Sequence, residues 1–377
     1  MARDNERPAG PTADRRLIRP IDGRRSNLGL VLETLYDEPG LSRADLARRT
    51  GLTRVTISDI VAQLLAEGLI AEIGMSLNHR PGKRSTLLTV PEQARDIIAI
   101  DLSDQRVIAG AVCGLHGQDR HRIEQPLDQA TGPEAFDRLV ELVQRLRATC
   151  QHEVAGVGVG TPGTVSPDGA VLAAHNLKWY QFPLQERLSQ ALGLPVDVHN
   201  DANLAAVAEH RFGSGAPDLV RVQISRGVGA GLLISGQPVV GASGAAGEIG
   251  HVVVEQNGRP CPCGKRGCLE TWAAVPALTE RIAAQPDRRD ALVAEAGRRL
   301  GLALAPVVGM LDLVDLVVGG PADLVDDGFL AAASALITER TEFDGRRPIR
   351  LRRSDLEPRA VILGAVALVL RNRLTIH

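Results

Sequence analysis

Residues 247 to 270 read Gly-Glu-Ile-Gly-His-Val-Val-Val-Glu-Gln-Asn-Gly-Arg-Pro-Cys-Pro-Cys-Gly-Lys-Arg-Gly-Cys-Leu-Glu. Three of the five cysteines in the chain fall within eight residues here, and a histidine stands ten positions before the first of them. His251, Cys261, Cys263 and Cys268 make a one-His, three-Cys set, and soft thiolates with an imidazole suit tetrahedral Zn²⁺. Pro and Gly between the cysteines force tight turns that let the sulfurs converge. Three buried thiols beside an unrelated histidine, or a disulfide pair, are the competing readings. The density of the cluster and the lack of an export signal favour one structural zinc per chain. Glu248 and Glu270 bracket the set, so a metal that pins this segment also fixes two carboxylates.

Outward from this stretch, 377 residues allow two or three domains with real cores. A hydrophobic share of 44% and a charged share of 23% are those of a globular protein in water. No apolar run reaches the roughly 18 residues of a spanning helix, and the charged N-terminus lacks the apolar segment of a signal peptide. A cytoplasmic protein without membrane contact is expected. With a net charge of −2, any affinity for nucleic acid must come from a local patch.

Residues 1–25 carry seven arginines and four acidic residues without apolar periodicity, and are expected to form a disordered arm. From Ser26, Leu28, Val31, Leu32 and Leu35 repeat as one helical face. Ser42 with Asp45 makes a capping box for a second helix, which Gly51 ends. Thr53 caps a third helix with an apolar stripe of Ile57, Ile60, Val61, Leu64 and Leu65. Two helices joined by a Gly-containing turn are the signature of a helix-turn-helix. Thr53, Arg54, Thr56 and Ser58 lie at the exposed start of the third helix, where such helices meet base edges. Segments 69–74 and 85–90 read as a hairpin with a basic tip carrying Arg80, Lys83 and Arg84, a wing suited to phosphates. Residues 26–92 are therefore expected to form a winged helix-turn-helix domain that binds double-stranded DNA. A protein-interaction module of the same fold is the alternative.

Beyond residue 93 the pattern changes to strands alternating with helices, an α/β arrangement. Apolar strands end in polar or Gly-rich loops: Asp101 after 97–100, Thr161-Pro162-Gly163 after 154–160, Asn200-Asp201-Ala202-Asn203 after 194–198, Gly227 to Gly231 after 221–225, and Gly319-Gly320-Pro321 after 313–318. Ligands of open α/β sheets bind at the carboxyl ends of strands.

The motifs Thr161-Pro162-Gly163, Asn200-Asp201-Ala202-Asn203, Gly227-Val228-Gly229-Ala230-Gly231, Gly247-Glu248-Ile249-Gly250-His251 and Cys261-Pro262-Cys263 through Glu270 resemble those of the ROK family of repressors and sugar kinases. The resemblance covers about 95–377 and implies an actin-like ATPase fold in two lobes, 93–198 plus 358–377 and 199–357, the second holding the zinc site. With the winged helix in front, the chain is similar to ROK transcriptional regulators. The resemblance further implies that Asn200, Asp201, Glu248, His251 and Glu270 hydrogen-bond sugar hydroxyls. The position of Asp201 is that of the general base in the kinases. His251 would give one nitrogen to zinc and keep the other for the sugar. Kinases of the family carry Asp-x-Gly-Gly-Thr after the first strand. Here Asp101 is followed by Leu102-Ser103-Asp104-Gln105-Arg106, so both glycines are lost and Asp104 adds a repelling charge. No catalytic activity is expected.

Together these readings predict a sugar-responsive regulator of carbohydrate utilisation, a repressor, binding its operator as a homodimer or homotetramer. A sugar or sugar derivative would be its effector. The alternatives are a bifunctional ATP-dependent sugar kinase with a DNA-binding head, and a regulator controlled by a protein partner.

Overall fold

The computed structural model describes residues 20–75, 85–213, 216–345 and 347–376. The chain divides into two compact units, residues 1–90 and 91–377.

In the first unit, α1 (Pro20–Asp37) begins six residues earlier than the apolar periodicity suggests. Proline is tolerated at a helix start, where its missing N–H has no partner to lose. β1 (Leu41–Ser42) leads into α2 (Arg43–Thr50), and the capping box is present in full: the Ser42 hydroxyl accepts from Asp45 N–H while Asp45 accepts from Ser42 N–H. Gly51, at φ 72°, ends α2. Thr53 caps α3 (Arg54–Ala66), which buries Ile57, Ile60, Val61 and Leu64, with Leu65 half-buried. β2 (Ala71–Met75) and β3 (Thr86–Thr89) pair antiparallel, and β1 joins the other edge of β3. The expected wing tip, with Arg80, Lys83 and Arg84, lies outside the described residues.

The second unit holds two five-stranded sheets of one topology. In the first, β4 (Asp96–Asp101), β5 (Val107–Cys113) and β6 (Asp119–Pro126) form an antiparallel meander. After α4 (Gly132–Arg147), β7 (Val154–Thr161) pairs parallel to β4. The short strands β8 (Thr164–Val165), β9 (Val171–Ala174) and β10 (Trp179–Phe182) form a separate sheet. α5 (Leu184–Leu192) then returns the chain to β11 (Val196–Asn200), parallel to β7. α6 (Asp201–Arg211) follows.

The second sheet repeats the plan. β12 (Leu219–Ile224), β13 (Val228–Ile234) and β14 (Gln237–Pro238) form the meander. The metal-type segment and helices α7 (Glu270–Ala273), α8 (Val275–Ala284) and α9 (Arg289–Leu311) come next. β15 (Asp315–Gly319) lies parallel to β12. α10 (Asp327–Thr341) and β16 (Arg350–Arg353), parallel to β15, complete the sheet, and α11 (Ala360–Val369) closes the fold. One apolar core gathers the first sheet with α4 and α5, another the second sheet with α7 to α10.

α11 and α6 pack against each other; α11 lies on β4 and β7, and α6 on β12 and β13. α11 reads Ala-Val-Ile-Leu-Gly-Ala-Val-Ala-Leu-Val, and all ten residues are buried, as expected of a helix apolar on every side. Its seat on β7 follows from that strand's alternation. Val157 and Val159 face the core of the first sheet, while Gly156, Gly158 and Gly160 share the other face. A Cβ on Gly158 would lie 2.3 Å from the Ala365 carbonyl oxygen, so only glycine admits α11 this closely.

The same device corrects one sequence expectation. The segment 227–231 was expected as a Gly-rich loop, yet from Val228 it is strand β13, and only the Ser225–Gly227 turn is loop. A Cβ on Gly231 would lie 2.4 Å from the Ala202 carbonyl oxygen. This glycine serves the packing of α6 on the sheet.

Candidate sugar cleft, metal centre and DNA-reading helix

The cleft residues sit where β11 gives way to α6. Asn200 caps the helix, its Oδ1 accepting from Asn203 N–H at 3.0 Å. Its amide donates to the Gly163 carbonyl at 2.9 Å and to Asp201 Oδ1 at 3.1 Å. The Thr-Pro-Gly and Asn-Asp motifs, far apart in sequence, therefore meet directly. Asp201 Oδ1 also accepts Ala202 N–H at 2.8 Å. Burial, then the charge of Asp101, raise the Asp201 carboxyl from 3.8 to about 6, with Glu248 adding to the rise. Burial likewise raises Asp101.

Ser103 manages this carboxylate pair. Its hydroxyl and its N–H both donate to Asp101 Oδ1, at 2.5 and 2.8 Å, and its presence offsets part of the rise at Asp201. In the sequence Ser103 stands only as a lost glycine, because nothing in its spacing shows that β4 and β11 end side by side. Asp104 has a different surrounding from the one expected. It accepts from Arg106 N–H at 2.8 Å and pairs with the Arg106 guanidinium at 3.4 Å, which offsets part of its repulsion.

His251 ends a single 3₁₀ turn, Ile249–His251. Its Nε2 lies 3.9 Å from Glu248 and its Nδ1 3.6 Å from Cys261 Sγ. Cys263 and Cys268 sulfurs are 3.7 Å apart. The four donor atoms of His251, Cys261, Cys263 and Cys268 lie within 4.8 Å of one another, a cluster that could hold a metal ion. A tetrahedral site with metal–sulfur bonds of about 2.3 Å places its sulfurs about 3.8 Å apart, so the donors need little movement to close on a cation.

Backbone geometry shapes this knuckle. Gly267 adopts φ 74°, and a Cβ there would lie 1.8 Å from the Glu255 carbonyl oxygen. Val253 bridges to Cys268 and Pro260 to Arg266. Trp272, unremarked in the sequence, fastens the loop to the helices behind it. Its indole N–H donates to Glu255 at 2.9 Å, and the Arg281 guanidinium lies over its ring at 3.8 Å.

Asn200 and Asp201 thus form one hydrogen-bonded pair, Glu248 and His251 stand 3.9 Å apart, and the charge of Glu248 is felt at Asp201. Glu270 stands apart: it opens α7, its Oε2 accepts from Val228 N–H at 3.2 Å, and among the described residues it shares no hydrogen bond or ion pair with the other four. It lines a cavity of about 400 Å³ beside the knuckle.

On α3, Thr53, Arg54 and Ser58 are exposed and Thr56 is half-buried. The Thr53 hydroxyl accepts Thr56 N–H at 3.2 Å, and Ser58 donates back to the Arg54 carbonyl at 2.9 Å, so these hydroxyls already serve the helix. Val55, which no local sequence signal marks, is 72% exposed beside Arg54.

The ROK family profile matches residues 97–372 and the MarR family profile residues 29–74. A putative xylose repressor of Caldicellulosiruptor sp. strain Rt8B.4 is 28% identical, over 93% of this chain and 97% of that protein. The Escherichia coli K12 DNA-binding transcriptional dual regulator NagC is 28% identical, over 89% of this chain and 90% of its own length. Among solved structures, a ROK family transcriptional regulator described as a homologue of the E. coli MLC protein superposes with a TM-score of 0.83, covering 94% of this chain and 97% of that one at 22% identity, a likeness of fold.

Proposed function

The chain belongs to the ROK family, and we propose that it is a sugar-responsive DNA-binding repressor of carbohydrate utilisation. What supports this reading is the union, in one chain, of an exposed helix start of helix-turn-helix type with the hydrogen-bonded Asn200–Asp201 pair and the nearby charge of Glu248, itself 3.9 Å from His251. Relatives named for repression of xylose and N-acetylglucosamine functions match it over nearly their whole length.

In this reading Asn200, Asp201, Glu248, His251 and Glu270 pair with sugar hydroxyls. His251, Cys261, Cys263 and Cys268 hold one structural Zn²⁺, His251 through Nδ1, which leaves Nε2 beside Glu248 for the ligand. Thr53, Arg54, Thr56 and Ser58 face the major groove, with Arg80, Lys83 and Arg84 on the phosphates. A homodimer presents two such helices to a palindromic operator. The sugar acts by binding one conformation of the cleft better than another, which is the only way a ligand shifts an equilibrium.

Phosphoryl transfer is absent in this reading. Ser103 fills backbone space that the kinases of the family leave to glycine, and its hydroxyl is held by Asp101, next to Asp201. The glycine of β13 is taken up by α6. The test is a gel-shift and thermal-shift panel of sugars on the full chain, with and without ATP. A sugar that both raises Tm and releases a specific operator supports the repressor. Sugar-dependent release of ADP, lost in Asp201→Asn, would replace it with a bifunctional kinase.

A further inference from the structure

The cavity beside the knuckle has a charge distribution that neutral sugar recognition leaves unexplained. About 400 Å³ of space lies between the Ser225–Gly227 turn, the cysteine loop and the start of α8, a volume typical of small-molecule sites. Arg226 enters from the turn, Arg259 with Pro260 and Pro262 from the loop, Glu270 from α7 and Glu280 from α8. Both carboxylates have partners: Glu270 accepts Val228 N–H, and Glu280 pairs with Arg259 at 3.4 Å. Among the described residues the Arg226 side chain pairs with no carboxylate.

The backbone holds these groups in place. Val275 N–H donates to the Ser225 carbonyl at 2.8 Å, tying the Arg226 turn to the first residue of α8. Gly267 N–H donates to the Arg259 carbonyl at 2.8 Å, tying Arg259 to the loop that carries Cys268. The start of α8, with Ala274, Pro276 and Ala277, forms another wall; its Ala274 and Val275 N–H groups are given to the Glu270 and Ser225 carbonyls and Pro276 has none, so it closes the space more than it charges it. The Arg226 guanidinium, without a carboxylate partner among the described residues, and that of Arg259, held only by the exposed Glu280, line one space and suit an anion, since the guanidinium fork matches phosphate and carboxylate oxygens.

We infer that this cavity is an anion subsite, in which Arg226 and Arg259 hold a phosphate or carboxylate group of the effector, so that the effector is an acidic sugar derivative. The inference rests on the sugar-sensing reading above and extends it: Glu270, on the wall shared with the knuckle, takes a hydroxyl next to the charged group. Binding displaces the Glu280 contact from Arg259, an exposed pair of small worth.

The test uses the zinc-loaded full chain in calorimetric and thermal-shift titrations. Ligands are pentoses and hexoses, their phosphate esters, the matching aldonic and uronic acids, and inorganic phosphate. The expected result is a phosphorylated or acidic sugar that binds at least tenfold more tightly than its neutral parent, competes with inorganic phosphate, and loses that advantage in Arg226→Gln and in Arg259→Gln. Arg226→Lys should recover part of it. Which arm wins distinguishes ester from carboxylate. Equal binding of parent and acid, unchanged by Arg226→Gln, overturns the subsite and leaves the sugar reading standing. Arg226-dependent binding of phosphate compounds without any effect on operator binding sustains the subsite and removes the repressor reading. If neither sugars nor anions bind, both fall.

Discussion

His251 Nδ1 stands 3.6 Å from Cys261 Sγ, close to the nitrogen–sulfur separation of about 3.5 Å expected across a tetrahedral zinc. The opposite ring nitrogen faces Glu248 at 3.9 Å. One side chain therefore joins the cysteine knuckle to the cleft, and its orientation is set by whichever partner holds it first. A metal bound at Nδ1 fixes the tautomer and turns Nε2 to the ligand.

Removing a metal held by these four donors is accordingly expected to affect two things together. In Cys263→Ser, or after treatment with a strong chelator, zinc content measured by mass spectrometry should drop to background. Stability should fall by at least about 2 kcal/mol, roughly 4–8 °C in Tm. The effector response should disappear with it. Full affinity for the effector in metal-free protein would break the proposed link between knuckle and cleft.

Asp201 predicts a pH dependence whose sign is defined. Its carboxyl is raised from 3.8 to about 6 in the folded chain, chiefly by desolvation and Asp101. The folded state therefore binds this proton more tightly than the unfolded state. The resulting stability is complete below pH 3.8 and is lost as pH rises to about 6. Tm of the free protein should show this loss, and Asp201→Asn should reduce the slope, with Asp101 contributing the remainder in the same direction. Sugar binding runs the other way: an ionised Asp201 accepts hydroxyl hydrogen bonds, so affinity should climb as pH passes 6. An unchanged stability slope in Asp201→Asn would show that other groups carry it.

At the helix pair, Gly364 of α11 meets α6 so closely that a Cβ would lie 2.0 Å from the Leu204 carbonyl oxygen. Gly364→Ala cannot be accommodated without parting the two helices, and overpacking of this kind costs about 1–3 kcal/mol. Because α6 begins with Asp201, the same change should weaken effector binding. Chemical denaturation and calorimetry on one preparation check both. A variant with wild-type stability would mean that α6 and α11 give way freely.

On α3, Arg54→Ala should weaken specific operator binding by about 1–3 kcal/mol and relax base preference at one position. Val55→Ser tests the exposed apolar side chain next to it, which suits a thymine methyl group. Selection of binding sites from a random library reads both. If neither change alters the selected sequence, base reading lies elsewhere in the unit.

Much of this was legible from local pattern. The Ser42–Asp45 box, the αL glycine at 51 and the Thr53 cap are decided within three or four residues of themselves, so chain spacing reports them directly. The cysteine spacing likewise brings its own sulfurs together, because the turns between them are short. Hidden from the sequence were relations across the chain. Ser103 bonds the Asp101 carboxylate and is felt at Asp201 because β4 and β11 both flank β7 and end level with one another. The glycine at 231 reads equally well as a phosphate loop or a helix seat until α6 is laid upon it. Arg226 and Arg259, 33 positions apart, share a cavity only through the turn anchored on α8 and the loop anchored on Cys268. Residue types and short spacings carry local conformation and the chemistry of a site. Which distant strand ends become neighbours depends on the packing of two cores and of the helix pair between the sheets, and the tertiary fold alone decides it.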